Sequence, residues 1–239
     1  MPTSFKALAL MGMGLFLYFR FFSGSLLFYI NERFIWLTFL AALGLVLVGA
    51  SYRYRPHHAH PADHQHGQLS WAGLLLVFSP VILGLIVPPK PLGAAAMSNR
   101  DVSLKSLTSA GAPTNSTVLS KPRGEKNILD WVVEFQSAKD PAAFAGQEAK
   151  VTGFVYRDER FAPNEFMVSR FVVSCCAADA APIGLVVRAE NGSDFASDAW
   201  VEVTGQFTPG QFAGESLPLL AAASVSPTDV PEQPYLYPY

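Results

Sequence analysis

All five histidines of the 239-residue chain fall within ten positions, at His57, His58, His60, His64 and His66, with Asp63 among them. Neutral imidazole is the commonest ligand for zinc and also suits nickel and copper, and a carboxylate adds an oxygen donor. Several such groups on one loop can converge on one ion, so the composition points to metal contact. The spacing specifies no geometry, and a solvated polar loop or a pH sensor titrating near neutrality are the other readings. The second set is Cys175 and Cys176, the only two cysteines. On a regular strand adjacent side chains point to opposite faces and cannot share an ion. If the chain turns at Ser174 instead, both thiolates can face one soft metal. A packing or turn role stands beside the metal or redox role, because buried free cysteine behaves as a small hydrophobe. Adjacent cysteines cannot supply the loop-closing disulfide framework of a small secreted domain. No cofactor is demanded, and zinc or another transition metal is the ion these ligands would take.

Three further charged residues stand out. Arg20 lies inside a long apolar run, where a cation costs a few kcal/mol at mid-bilayer unless it pairs or snorkels. Arg170 and Asp179 flank the cysteines, and with Arg157, Asp158, Glu159 and Arg160 they read as a solvated ion-pair surface. No histidine lies beyond residue 66, so the C-terminal half holds no Ser-His-Asp set, and it has no phosphate-cradling glycine loop. The expectation is a protein that is not an enzyme.

The elements that must position these groups divide the chain in two. Hydrophobic residues make up 50% of it and charged residues 15%, with mean hydropathy +0.25, against about 25% charged in an average soluble domain. The apolar surplus lies before Pro88, and it predicts a membrane region over residues 1–92. Three transmembrane helices are expected there, at about 5–30, 34–51 and 69–87, with the His-rich loop at 53–68 and Pro80 kinking the third. Residues 93–123 are rich in Ser, Thr, Gly, Ala and Pro and read as a flexible linker. Residues 124–239 carry one short helix from Ile128 to Phe135. Five β-like runs follow, 149–157, 165–175, 183–189, 200–207 and 217–225, before a Pro/Tyr-rich tail. One helix and five strands predict a mainly-β domain, a five-stranded OB-like barrel. Acidic residues outnumber basic ones sixteen to nine from residue 121 onward, which argues against a nucleic-acid partner. Basic residues flanking the spans nearly balance, so orientation rests on the exported look of the linker and acidic domain, which places the domain outside the cytoplasm.

The chain resembles a known bacterial family, that of the putative two-component permease subunits. The resemblance rests on the His-rich loop, on Val87-Pro88-Pro89-Lys90-Pro91-Leu92 and on Gly153-Phe154-Val155-Tyr156-Arg157-Asp158. It rests most specifically on Arg170-Phe171 followed by Cys175-Cys176-Ala177-Ala178-Asp179-Ala180, and the closing Pro234-Tyr235-Leu236-Tyr237-Pro238 is similar too. It covers nearly the whole chain. It implies an accessory subunit, embedded in the lipid bilayer of the cell membrane beside a larger multi-span permease, with no cargo named. Ser174 stands where the family usually has threonine. The alternative is a stand-alone, membrane-tethered metal- or thiol-handling protein using Cys175 and Cys176.

Overall fold

The computed structural model describes residues 3–54, 71–98, 126–138 and 140–238. The chain splits into two compact units, Met1–Lys90 and Pro91–Tyr239.

The first unit is helical. Helix α1 spans Thr3–Phe22, α2 Ile35–Tyr54 and α3 Trp71–Ile86. The expectation of three transmembrane helices is not met: among the described residues one helix, Glu32–Tyr52, is long and apolar enough to cross a membrane, with mean hydropathy 2.2. The apolar helices Ala7–Phe22 and Leu75–Ile86 are shorter. The reason for the first is local. The apolar run continues to Ile30, but Gly24 adopts a left-handed φ of 69° and the chain passes into a 3-10 turn at Ser25–Phe28, so the helix stops at Phe22. The third ends where Pro88 and Pro89 withhold the N–H groups that would extend it.

Small residues let α1 and α2 approach closely. A Cβ on Gly14 would lie 2.8 Å from the Ala42 carbonyl, and one on Gly49 would lie 3.0 Å from the Ala7 carbonyl. Phe16 of α1 packs against Gly84 of α3, and Arg20 adds a polar link between the two helices. In a helix the Gly84 carbonyl accepts from the N–H four residues on, which is Pro88 and has none. The Arg20 Nη2 donates to that carbonyl instead, with the guanidinium 5.3 Å from the Phe16 ring centre. The cation is therefore matched to a helix C-terminus, where the backbone dipole favours it.

The second unit begins with a docked segment. Met97, in the short helix α4 (Ala94–Ser98), is fully buried. Asp198 accepts the Ala94 N–H, and the Tyr235 hydroxyl accepts the Leu92 N–H at 3.0 Å. Residues 92–98, the first of them read as membrane region and the rest as linker, thus pack on the β unit. Helix α5 (Ile128–Ser137) opens with a capping box: Asn127 Oδ1 accepts the Asp130 N–H at 3.0 Å and Asp130 Oδ2 accepts the Asn127 N–H at 2.9 Å. Its apolar face sets Trp131 and Phe135 against Phe207 at ring-centre distances of 4.8 and 5.2 Å.

The strands are β1 (Glu148–Tyr156), β2 (Glu165–Val172), β3 (Ala181–Arg188), β4 (Trp200–Phe212), β5 (Glu215–Pro227) and β6 (Tyr235–Leu236). The expected five-stranded OB-like barrel gives way to one six-stranded sheet in the order β1-β4-β5-β3-β2-β6, with β1 also paired to β2. The added strand comes from the Pro/Tyr tail, which pairs in parallel with β2 through Phe171–Tyr235 and Val172–Leu236. All eight β2 residues are buried because it is covered on both faces. Phe166, Val168 and Val172 join the core under α5, while Met167 and Phe171 join a second core with Met97 and Tyr235. The β4–β5 turn is Ala213–Gly214, both at positive φ (50° and 85°), as a two-residue hairpin turn requires. Pro209 and Gly210, beyond the expected end of the fourth β-like run, pair inside the hairpin with Pro218 and Leu217.

Candidate functional site

Strand β2 ends at Val172, and the turn that returns the chain to β3 carries both cysteines. The Val173 N–H still donates to the tail, to the Leu236 carbonyl at 2.9 Å. From Ser174 onward the partner changes to Asp179. Its Oδ1 accepts the Ser174 N–H at 2.9 Å, and its Oδ2 accepts the N–H groups of Cys175 at 2.7 Å and Cys176 at 3.2 Å. Cys176 is the cap of a 3-10 turn, Ala177–Asp179, in which Asp179 is the third residue. This is the geometry of a capping box with cysteine in the place of serine or threonine. The Cys-x-x-Asp spacing was the signal by which the sequence could have shown it.

Because the backbone is no longer extended at the pair, the two sulfurs come together. Cys175 Sγ lies 3.6 Å from Cys176 Sγ, and these sulfurs and an Asp179 carboxylate oxygen all lie within 4.8 Å of one another. Both cysteines are free thiols, Cys175 exposed and Cys176 half-buried. Hydrogen bonding to Asp179 and then to Cys176 pushes the Cys175 thiol up to about 12. Asp179 itself is held below the usual carboxylate range: partial desolvation works the other way, but the hydrogen bonds from the Cys175 side chain and the three backbone N–H groups outweigh it. At neutral pH the turn therefore holds a protonated Cys175 thiol beside an ionised carboxylate.

Arg170, three residues before this turn in the chain's buried strand, is not part of an ion-pair surface. It is buried, and its Nε donates to the Pro234 carbonyl at 2.8 Å, its Nη2 to Gln233 at 2.6 Å and its Nη1 to Thr152 at 3.3 Å. The guanidinium also lies 5.2 Å from the Trp200 ring centre. Burial lowers its pKa to about 10, so it stays charged at neutral pH. Its work is to tie the tail to β2, beside the cysteine turn. Sequence reading named Arg170 but missed the tail that it holds. Asp158 and Arg160 form a separate local pair at 2.5 Å, remote in role from Asp179. His57, His58, His60, Asp63, His64 and His66 lie outside the described residues. A cavity of about 370 Å³ between α5, β3 and β5 is lined by Val132, Phe135, Leu185 and Leu217 together with Gln136 and Glu215; among the described residues, the set of Cys and Asp side chains close enough to share an ion is the one at the turn.

Residues 5–103 match the DUF1980 N-terminal domain and residues 124–238 the DUF1980 C-terminal domain. The chain belongs to the DUF1980 family. The resemblance read from the sequence therefore holds, and the cysteine turn lies in the DUF1980 C-terminal domain. Among curated relatives, "UPF0703 protein YcgQ" of Bacillus subtilis (strain 168) is 22% identical over 281 aligned positions, covering 98% of this chain and 99% of that protein. The "Putative two-component membrane permease complex subunit" of Streptococcus mutans serotype c (strain ATCC 700610 / UA159) is 23% identical over 251 positions, covering 90% of this chain and 92% of that protein. No solved structure matches the chain.

Proposed function

We propose that this chain is a non-enzymatic accessory subunit of a two-component membrane permease complex. Its helical unit meets the bilayer and a larger multi-span permease, and its β unit, outside the cytoplasm, binds or gates a ligand for that permease. The observation that carries this reading is the near full-length relationship to a protein named as such a subunit. The surface of the helical unit supports it. Leu75, Leu76, Leu83, Leu85 and Ile86 of α3 are exposed, and contiguous apolar surface of that kind marks a membrane or protein contact.

The rival role, a stand-alone thiol protein with Cys175 as nucleophile, needs a thiol whose pKa is lowered. Here it is raised. The test is reciprocal co-purification of the tagged full-length chain with a multi-span permease from its own membranes in mild detergent. Recovery of the same pair from either tagged partner is the expected result. Isolation of the chain alone from both directions overturns the subunit reading. Labelling of the exposed Cys175 by a membrane-impermeant maleimide on intact cells tests the side of the membrane, and labelling only after lysis would put the β unit in the cytoplasm.

A further inference from the structure

We propose that the Ser174–Asp179 turn is a binding site for one divalent closed-shell metal cation, zinc being the biological example, held by the sulfurs of Cys175 and Cys176 and the carboxylate of Asp179. The proposal rests on the reading of the β unit as the ligand-binding part of the chain and names the ligand.

Three observations carry it. The first is the sulfur separation. Two thiolates bound to zinc at about 2.3 Å and a tetrahedral angle stand about 3.8 Å apart, and the two sulfurs here are 3.6 Å apart before any ion enters. The second is preorganisation. Asp179 accepts three consecutive backbone N–H groups, so the turn that converges the sulfurs is built on the same carboxylate that stands at the third corner, within 4.8 Å. The third is access. Cys175 is exposed and Cys176 half-buried, and the three ligands found among the described residues leave a coordination position open. Structural zinc sites are closed by four protein ligands, whereas sites that exchange a ligand keep one position free. The turn therefore suits an ion that is received and passed on. On binding, two sulfur–metal bonds form and two S–H bonds break, with both protons passing to solvent and no change of oxidation state. Two thiolates and a carboxylate carry three negative charges, matching a divalent cation better than a monovalent one.

The test uses the full-length chain in detergent with cadmium as the probe, because thiolate-to-cadmium charge-transfer absorption reports sulfur ligation and is blind to the imidazoles of residues 57–66. The absorption is expected to rise to a break at one cadmium per chain, to be reversed by zinc, and to persist when all five histidines are replaced by alanine. C175S and C176S are each expected to weaken binding by more than about tenfold, and D179N, which keeps an oxygen acceptor for the turn, by about tenfold. Circular dichroism checks that each variant remains folded. Absence of the band in the wild-type protein, its survival in the double variant C175S/C176S, or wild-type affinity in D179N overturns the three-ligand site. Co-purification of C175S/C176S with the permease would leave the subunit reading standing even then, so the two ideas fail separately.

Discussion

Each unit of this chain buries part of an arginine among backbone carbonyls, yet the two units stand very differently toward solvent. Arg20 serves the carbonyl that Pro88 leaves without a donor at the end of α3, and Arg170 serves carbonyls of the tail and of β1. In both cases a guanidinium fork joins segments 63 or 64 residues apart in sequence. The surroundings differ. Leu76 and Ile86 of the helical unit are 76% and 72% exposed, whereas every residue of β2 in the other unit is buried. The β unit satisfies its own apolar surface, and the helical unit does not. The lesson is that the β unit covers its own apolar side chains, while the described residues of the helical unit leave apolar side chains exposed, as the proposed membrane complex would need.

The comparison breaks most readily at Arg170. Replacing it with alanine removes the donors that Arg170 supplies to the Pro234, Gln233 and Thr152 carbonyls and is expected to cost about 3 kcal/mol, read as a lower unfolding midpoint of the β unit. Arg170→Lys should fall between the variant and the wild type, because the ammonium cannot reproduce the planar fork. A surface-like effect for Arg170→Ala would show that the tail is not tied down through this residue. In the helical unit, Gly14→Ala places a Cβ 2.8 Å from the Ala42 carbonyl, and a cost of about 1–3 kcal/mol is expected in detergent unfolding. Insensitivity there would mean that α1 and α2 are not closely packed. Asn127→Ala removes one half of the α5 capping box and should cost about 1 kcal/mol in chemical denaturation. The smallest effect has the opposite sign. Ala213 sits at a φ of 50°, where a Cβ is unfavourable, so Ala213→Gly should raise stability by about 0.5 kcal/mol.

Much of the organisation was legible because hydrophobic pattern and turn chemistry are local. The break between an apolar N-terminal half and an acidic β-rich half, the α5 helix and the positions of β1, β2 and β3 all follow from periodicity and punctuation. The first apolar run was read as one long span because its composition barely changes between Phe22 and Ile30. What divides it is a single glycine taking a left-handed conformation. The sixth strand was missed because Tyr235 and Leu236 are too short a run to signal a strand. They become one only by pairing with β2, which long-range folding brings beside them.

The cysteine pair shows the same division most sharply. The sequence by itself determined that two thiols stand side by side, that an aspartate follows three residues after the second, and that no other cysteine competes. It left open whether the pair continues a strand with opposed side chains or occupies a turn with converging ones. Only the tertiary structure decided that, because β2 must stop where the tail stops pairing with it and the chain must turn to reach β3 at Ala181. Asp179 then gathers the freed N–H groups of Ser174, Cys175 and Cys176, and that local closure brings the two sulfurs together.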